Sequence, residues 1–178
     1  NSALQLIGQD ELAAIDSLKK CINICEELGP EADDVKVLAE NQLPVLYYSV
    51  GIKTYKQKQL SKAIDYFTEA AKFAEQFNNT DVKKKAEKII PQLYNAIAGT
   101  YLKEKDYSKA IANYNKALAL SPNLAKAYLY KGLAYKALKE EDNFTNAIDS
   151  AIITGNAVND NETIKKAQKV GRDYFLNK

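Results

Sequence analysis

One pattern of aromatic, apolar and small residues recurs three times along the chain, and it constrains the fold more than any other feature. Each copy opens on a tyrosine, has a small residue four positions later, and continues with an alanine that stands four positions before an aromatic residue in two of the copies. The copies begin at Tyr47, Tyr94 and Tyr128. Repetition at this scale is typical of stacked helical hairpins rather than of one closed core. The pattern therefore predicts a protein that binds something rather than one that transforms it.

The residue types within each copy have a physical reason. The copies read Tyr47, Val50, Gly51, Ala63 and Phe67; then Tyr94, Ile97, Ala98, Tyr101, Ala110, Tyr114 and Pro122; then Tyr128, Lys131, Gly132, Tyr135 and Ala147. Small side chains let two helix backbones approach, and aromatic rings fill the wedge beside the contact. We therefore expect Gly51, Ala98 and Gly132 to lie where paired helices cross.

The apolar spacing is helical along nearly the whole chain, and no alternating strand pattern is present. Four Ala-Ile pairs, which start at Ala14, Ala63, Ala110 and Ala147, mark the beginnings of four equivalent helices. Stop signals between periodic stretches are Gly29-Pro30, Asn78-Asn79, Ser121-Pro122 and Gly155-Asn156. The sequence predicts an all-α fold.

These residues resemble the tetratricopeptide repeat. Residues 91–124 follow the motif of that repeat, with Tyr94 in place of the family's tryptophan. The resemblance implies a right-handed superhelical α-α solenoid of helical hairpins with a C-terminal capping helix. We expect a single domain over residues 1–178, with a partial first repeat at 2–28, repeats at 32–77, 80–122 and 124–155, and a capping helix at 160–176. Pro44 and Pro91 fall within or at the start of helices, where a kink or break is expected.

The resemblance also implies a binding surface, because in this family the first helices of successive hairpins line a groove that holds a peptide or protein segment. The groove positions in this chain are Tyr48, Ile52, Tyr55, Gln92, Asn95, Gly99, Lys103, Lys126, Leu129, Leu133 and Lys136. A second reading stays open for each of them, namely that the side chain only packs against the next helix or against residues 160–176.

The chemistry of several groove positions suits a peptide. The side-chain amides of Gln92 and Asn95 can hydrogen-bond a peptide backbone, and Gly99 permits close approach. Lys103, Lys126 and Lys136 can attract a carboxylate or phosphate.

Members of the family that hold the acidic tails of heat-shock chaperones use a clamp of Lys, Asn and Arg residues. Only Lys126 occupies a matching place here, since Ile52, Ala96 and Tyr130 stand where the other polar residues are expected. The sequence therefore predicts against that specific activity.

Charge is unevenly distributed although the whole chain carries only +2. Residues 1–40 hold nine acids and three lysines, and residues 81–139 hold twelve lysines and four acids. The basic stretch favours an acidic partner, although lysines on solvated helix faces explain most of it. It lacks arginine, so we expect no nucleic-acid partner. No apolar run approaches the length of a membrane span.

The residue inventory predicts a protein that is not an enzyme. The chain has no histidine, no glycine-rich phosphate loop and no cysteine with a partner base. Cys21 and Cys25 share one helix face and are interpreted as small buried hydrophobes rather than metal ligands. We therefore expect no catalytic residues, no metal site and no cofactor.

A second functional hypothesis is an internal stacking, self-association or regulatory segment of a larger protein. The chain begins at Asn1 without methionine, and residues 2–8 resemble the second half of a helix. On this hypothesis an apolar face at Leu4, Leu6, Ile7 and Leu18 is covered by further repeats or by another copy. The sequence leaves the compartment open between the cytoplasm and, if a leader was removed, the periplasm or another extracytoplasmic space.

Overall fold

A computed structural model describes residues 10–176, and every regular element in that part of the chain is helical. The helices are α1 (Glu11–Leu28), α2 (Asp33–Lys56), α3 (Leu60–Gln76), α4 (Thr80–Lys103), α5 (Tyr107–Leu120), α6 (Ala125–Leu138), α7 (Glu141–Ala157) and α8 (Asn161–Leu176), with a 3-10 turn (Gly29–Ala32) after α1. The all-α prediction is confirmed. None of these helices combines the length and the apolar character that crossing a bilayer requires.

The helices form two compact units that divide between Ile90 and Pro91. Unit 1 ends within α4 and unit 2 begins there, and each is described by itself. The predicted superhelical twist concerns both units together and stays a prediction.

In unit 1, α1 packs on α2 and α2 packs on α3. The start of α1 is fixed by Asp10, whose side chain accepts hydrogen bonds from the backbone N–H groups of Leu12 and Ala13 at 3.2 and 3.1 Å. Between α2 and α3, the rings of Tyr47 and Phe73 stack with centroids 5.4 Å apart. The unit is thus held by neighbouring helix pairs, as the repeat pattern predicts.

One turn geometry joins the helices of each hairpin. Lys58, Lys105 and Lys139 adopt the left-handed conformation with φ of 61°, 62° and 61°. After each of them, the next N–H donates to the carbonyl oxygen five residues earlier, at N···O distances of 3.2, 2.9 and 3.0 Å. This backbone pairing closes a helix C-terminus and is commonly built on glycine. The turns between paired helices thus also repeat, and each carries lysine at the left-handed position.

The small residues lie at the helix crossings, as predicted. In unit 1, Gly51 faces the ring of Phe67, and Ala63 is completely buried. In unit 2, Ala98 and Ala110 are both completely buried in one cluster with Tyr114. Near the end of the chain, a β-carbon on Gly132 would lie 3.4 Å from Cβ of Ala147. Close backbone approach therefore has the same cause in each hairpin.

Helix α8 packs along α7 and also touches α6. Its Ala167 is completely buried in a cluster with Leu129 of α6 and Phe144 of α7. The ring of Phe144 lies 4.5 Å from that of Tyr174, between centroids. Phe144 is completely buried and supplies the aromatic bulk that is missing at Ala151, the position where the other copies carry an aromatic residue. The predicted amphipathic terminal helix is confirmed.

The structure contradicts one stop signal. Gly155 and Asn156 lie inside α7, which ends at Ala157. Gly155 is buried, and a β-carbon there would meet Cγ1 of Ile164 at 2.7 Å. This glycine therefore permits close packing of α8 on α7 instead of ending a helix.

The two internal prolines do not break their helices. α2 continues through Pro44 and α4 through Pro91. Pro44 is among the most deeply buried side chains, so packing offsets the hydrogen bond that its missing N–H would have made. The alternative of a break is therefore wrong at both positions, and the alternative of a kink stays a prediction.

Three predictions for the N-terminal region have different outcomes. Leu4, Leu6 and Ile7 lie outside the described residues. Leu18 is buried in α1, so it is not part of an exposed face. Cys25 is buried as predicted and its burial raises the pKa of the thiol, whereas Cys21 is half-buried.

Candidate functional site: one face of α4

Four predicted groove residues share one face of α4 within unit 2. Gln92, Asn95, Gly99 and Lys103 are spaced by three, four and four residues, which places them in one row along the helix. We call this row the α4 face. Gln92 and Lys103 are exposed, and Asn95 and Gly99 between them are half-buried. The face thus has polar ends around a recessed centre.

The recessed centre holds a polar atom without a partner. Oδ1 of Asn95 is buried and makes no hydrogen bond to any residue in the described part of the chain. A buried carbonyl oxygen without a donor is costly, and most such groups in proteins are paired. Oδ1 of Asn95 therefore lacks the hydrogen-bond donor that a buried carbonyl oxygen usually has.

Gly99, one helical turn after Asn95, leaves open space at its own position. Apart from its own helix backbone and chain neighbours, the one described heavy atom within 4 Å of a β-carbon built at Gly99 is Oη of Tyr114, at 3.9 Å. Packing between helices does not need a glycine here, whereas Gly51 would meet a ring at 2.8 Å. Glycine inside a helix destabilises it relative to alanine. The position thus favours close approach of another molecule.

The hydroxyl of Tyr114 lies below Gly99. Its ring is buried. This burial, and to a smaller extent the nearby Tyr130, raises the pKa of the phenol. The hydroxyl therefore stays protonated at neutral pH and can donate or accept a hydrogen bond. Sequence reasoning assigned Tyr114 to packing alone, although the repeat motif has phenylalanine there and the additional hydroxyl was the available signal.

The predicted residues of α6 are engaged by α8. Leu129 is only 2% exposed and belongs to the core. Nζ of Lys126 lies 3.9 Å from a carboxylate oxygen of Glu162, and Nζ of Lys136 lies 5.5 Å from the centroid of the Tyr174 ring. Leu133 is half-buried. Leu129, Lys126 and Lys136 thus contact the terminal helix, as in the second reading that the sequence left open.

The remaining predicted residues belong to α2 of unit 1. Tyr48 is half-buried with its ring 5.2 Å from that of Phe67, between centroids. Ile52 is half-buried and Tyr55 is 44% exposed. Tyr55 is thus the most accessible of the three.

The described residues contain no group of three His, Cys, Asp or Glu side chains that could hold a metal ion. The polar groups of the α4 face are amides, a phenol and an ammonium, which bind ligands by hydrogen bonds and charge. The arrangement can hold a polar chain but offers no nucleophile with a base.

A model of the TPR repeat family matches residues 99–139, which run from the α4 face through α5 to the end of α6. The fold is similar to an Arabidopsis OM64 TPR domain, with 23% identity over 76% of this chain and 98% of that one, at a TM-score of 0.45. It is also similar to the C-terminal TPR-containing domain of a Plasmodium falciparum FK506-binding protein, with 21% identity over 79% and 93%, at a TM-score of 0.47.

A third solved structure is the first TPR of Spaghetti (RPAP3) bound to an HSP90 peptide, with 22% identity over 75% of this chain and 94% of that one, at a TM-score of 0.44. Similarity at this level does not extend to a shared partner. No curated protein matches the chain in sequence.

Proposed function

We propose that the chain, whose residues 99–139 match a model of the TPR repeat, is a non-enzymatic protein-interaction scaffold whose α4 face binds an extended segment of a partner protein. The observation that carries the proposal is the pairing of an open glycine, Gly99, with the unsatisfied carbonyl oxygen of Asn95 one turn away. A peptide backbone supplies an N–H donor for Oδ1 of Asn95. The peptide can approach α4 closely only where no side chain intervenes.

The charge of the site favours an acidic segment. Lys103 is exposed at the last turn of α4 and has no ion-pair partner among the described residues. Lys126 is less available because Glu162 lies near it. An ammonium group without a partner attracts a carboxylate of the ligand, and this attraction is weakened by salt. Lys103 thus supports selection of an acidic side chain next to the bound backbone.

The test begins with a displayed library of random twelve-residue peptides selected on the immobilised full chain. Selected peptides are then measured by fluorescence anisotropy against the Asn95→Ala, Gly99→Leu and Lys103→Glu variants. We expect each variant to weaken binding about tenfold, which is the effect of losing one hydrogen bond or close contact. Peptides rich in Asp and Glu should dominate the selection.

The matched control is Ala112→Leu, which adds a side chain on the exposed face of α5. It should bind the selected peptides with unchanged affinity. Gly99→Leu is expected to fold, because the nearest side-chain atom lies 3.9 Å from the new β-carbon. Peptides that bind Gly99→Leu as tightly as the original chain would show that the α4 face is not the binding site.

A further inference from the structure

A second surface lies in unit 1, between the later half of α1 and the start of α2. It is an apolar cleft of about 450 Å³ that we call the α1–α2 cleft. Its apolar lining consists of Cys21, Ile24, Cys25, Leu28, Ala32 and Val35, and Ser17 and Lys20 lie at its other end. The α4 face has no part in it.

The cleft exposes large apolar side chains that the fold does not use. Ile24, Leu28 and Val35 are 54%, 65% and 53% exposed. On the opposite side of α1, Ile15 and Ile22 are buried. α1 thus carries one apolar face that the core covers and a second that it leaves in contact with solvent. Contiguous exposed apolar surface with a polar rim is typical of an interaction site.

The rim of this cleft is acidic. Glu27, Glu31 and Asp34 are exposed and directly adjoin the lining residues Leu28, Ala32 and Val35 in sequence, and none of the three forms an ion pair within the described residues. Of the remaining charges, Lys36 is taken up by Glu26 and Glu40, with N···O distances of 3.2 and 3.9 Å. The end of the cleft at Leu28 and Val35 therefore presents uncompensated negative charge beside apolar side chains, whereas Lys20 lies at the end near Ser17.

The position of the acidic residues at the end of α1 also supports a cationic partner. Glu26 and Glu27 lie in the last turn of α1, where no basic residue is present. The C-terminal end of a helix carries partial negative charge and is stabilised by cations, not by carboxylates. Glu26 is paired with Lys36, but helix stability does not explain Glu27, whereas attraction of a cationic partner does.

We propose that the α1–α2 cleft binds a basic amphipathic helix of a partner protein. From Ser17 to Leu28 the cleft follows α1 for about 16 Å, which is the length of three helical turns. A helix with apolar residues at positions i, i+4 and i+7 places them over such a groove. Lysine or arginine side chains at one end of it meet Glu27, Glu31 and Asp34. This binding goes beyond the proposed role of the α4 face and does not depend on it.

The probe is a fourteen-residue peptide with leucine at three such positions and lysine at the exposed positions of its second half. A matched peptide carries the same leucines with glutamate in place of lysine. Binding of both to the full chain is measured by fluorescence anisotropy at low and moderate salt. We expect the lysine peptide to bind about tenfold more tightly, with a preference that salt reduces.

Variants of the protein locate the binding. Because Ile24 and Leu28 are exposed, the double variant Ile24→Ser with Leu28→Ser should fold and bind the lysine peptide about tenfold more weakly. The control Ile153→Ser changes an equally exposed isoleucine of α7, 69% exposed, and should leave binding unchanged. Glu27→Gln with Glu31→Gln should abolish the preference for lysine over glutamate.

Three results would overturn the proposal. The first is equal affinity for the two peptides, and the second is equal loss of binding in the α1 and α7 variants. The third is concentration-dependent self-association that Leu28→Ser abolishes, because this would assign the cleft to a second copy of the chain. Each of these results leaves the α4 face untouched, since that site is tested with Asn95, Gly99 and Lys103.

Discussion

The ring of Phe67 on α3 lies directly against Gly51 on α2, so that a β-carbon at Gly51 would meet Cε1 at 2.8 Å and Cδ1 at 2.9 Å. We expect Gly51→Ala to destabilise the protein, because Phe67 is completely buried and cannot move aside. Overpacking costs about 1–3 kcal/mol, which exceeds the gain of about 1 kcal/mol from replacing a helical glycine. Urea unfolding measures the difference, and an increase in stability would contradict this account of the crossing.

Gly99→Ala should have the opposite effect on stability. Outside α4 itself, the one heavy atom of the described residues near the new methyl group is Oη of Tyr114, at 3.9 Å, so the variant gains helix propensity without a clash. Unfolding by urea should show an increase of about 1 kcal/mol. The same variant should bind selected peptides more weakly than the original chain, whereas a glycine retained for folding alone would show lower stability on substitution.

Phe144→Ala should remove much of the packing between α7 and α8. Phe144 is completely buried and its ring lies 4.5 Å from that of Tyr174, between centroids. Loss of a buried phenylalanine costs about 3–5 kcal/mol. Calorimetry should show a strongly lowered Tm, and trypsin should cut faster after Lys165 and Lys169 of α8. Phe175→Ala is the control, because that ring is half exposed and should matter little.

Asp160 should make the stability of α8 depend on pH. Its side chain accepts hydrogen bonds from Oγ1 and N–H of Thr163, at 2.7 and 3.1 Å, and these hold the pKa of the carboxyl below its ordinary value. Because the carboxyl has a lower pKa in the folded chain than in the unfolded chain, it stabilises the folded state at pH values above the unfolded pKa. This stabilisation is lost as the pH falls through the folded pKa. Asp160→Ala should therefore cost about 1 kcal/mol at neutral pH and less near pH 3. Equal cost at both pH values, measured by denaturant unfolding, would contradict this role.

The repeated crossings could be predicted from the sequence because their cause is local. A small residue at a fixed place on each helix is sufficient to specify where two backbones meet, and Gly51, Ala98 and Ala110 behave in this way. The sequence pattern at Gly155 is less informative, since a glycine near a helix end is compatible both with a stop and with close packing. Only the position of Ile164 on the following helix decides between the two.

The candidate site was predicted less completely than the fold. Motif spacing places Gln92, Asn95, Gly99 and Lys103 on one face of α4, because helical periodicity alone defines that face. It does not specify where α8 lies, and the burial of Leu129 and the pairing of Lys126 with Glu162 depend on that placement. The hydroxyl of Tyr114 beside Gly99 likewise depends on how α5 packs on α4.

The most direct test of the binding account is an NMR titration of the ¹⁵N-labelled chain with a peptide selected from the library. The account predicts the largest shift changes at the side-chain amide of Asn95 and the backbone amide of Gly99, with smaller changes at Lys103. Changes confined to the exposed faces of α5 and α7, with the Asn95 and Gly99 signals unmoved at saturation, would contradict it.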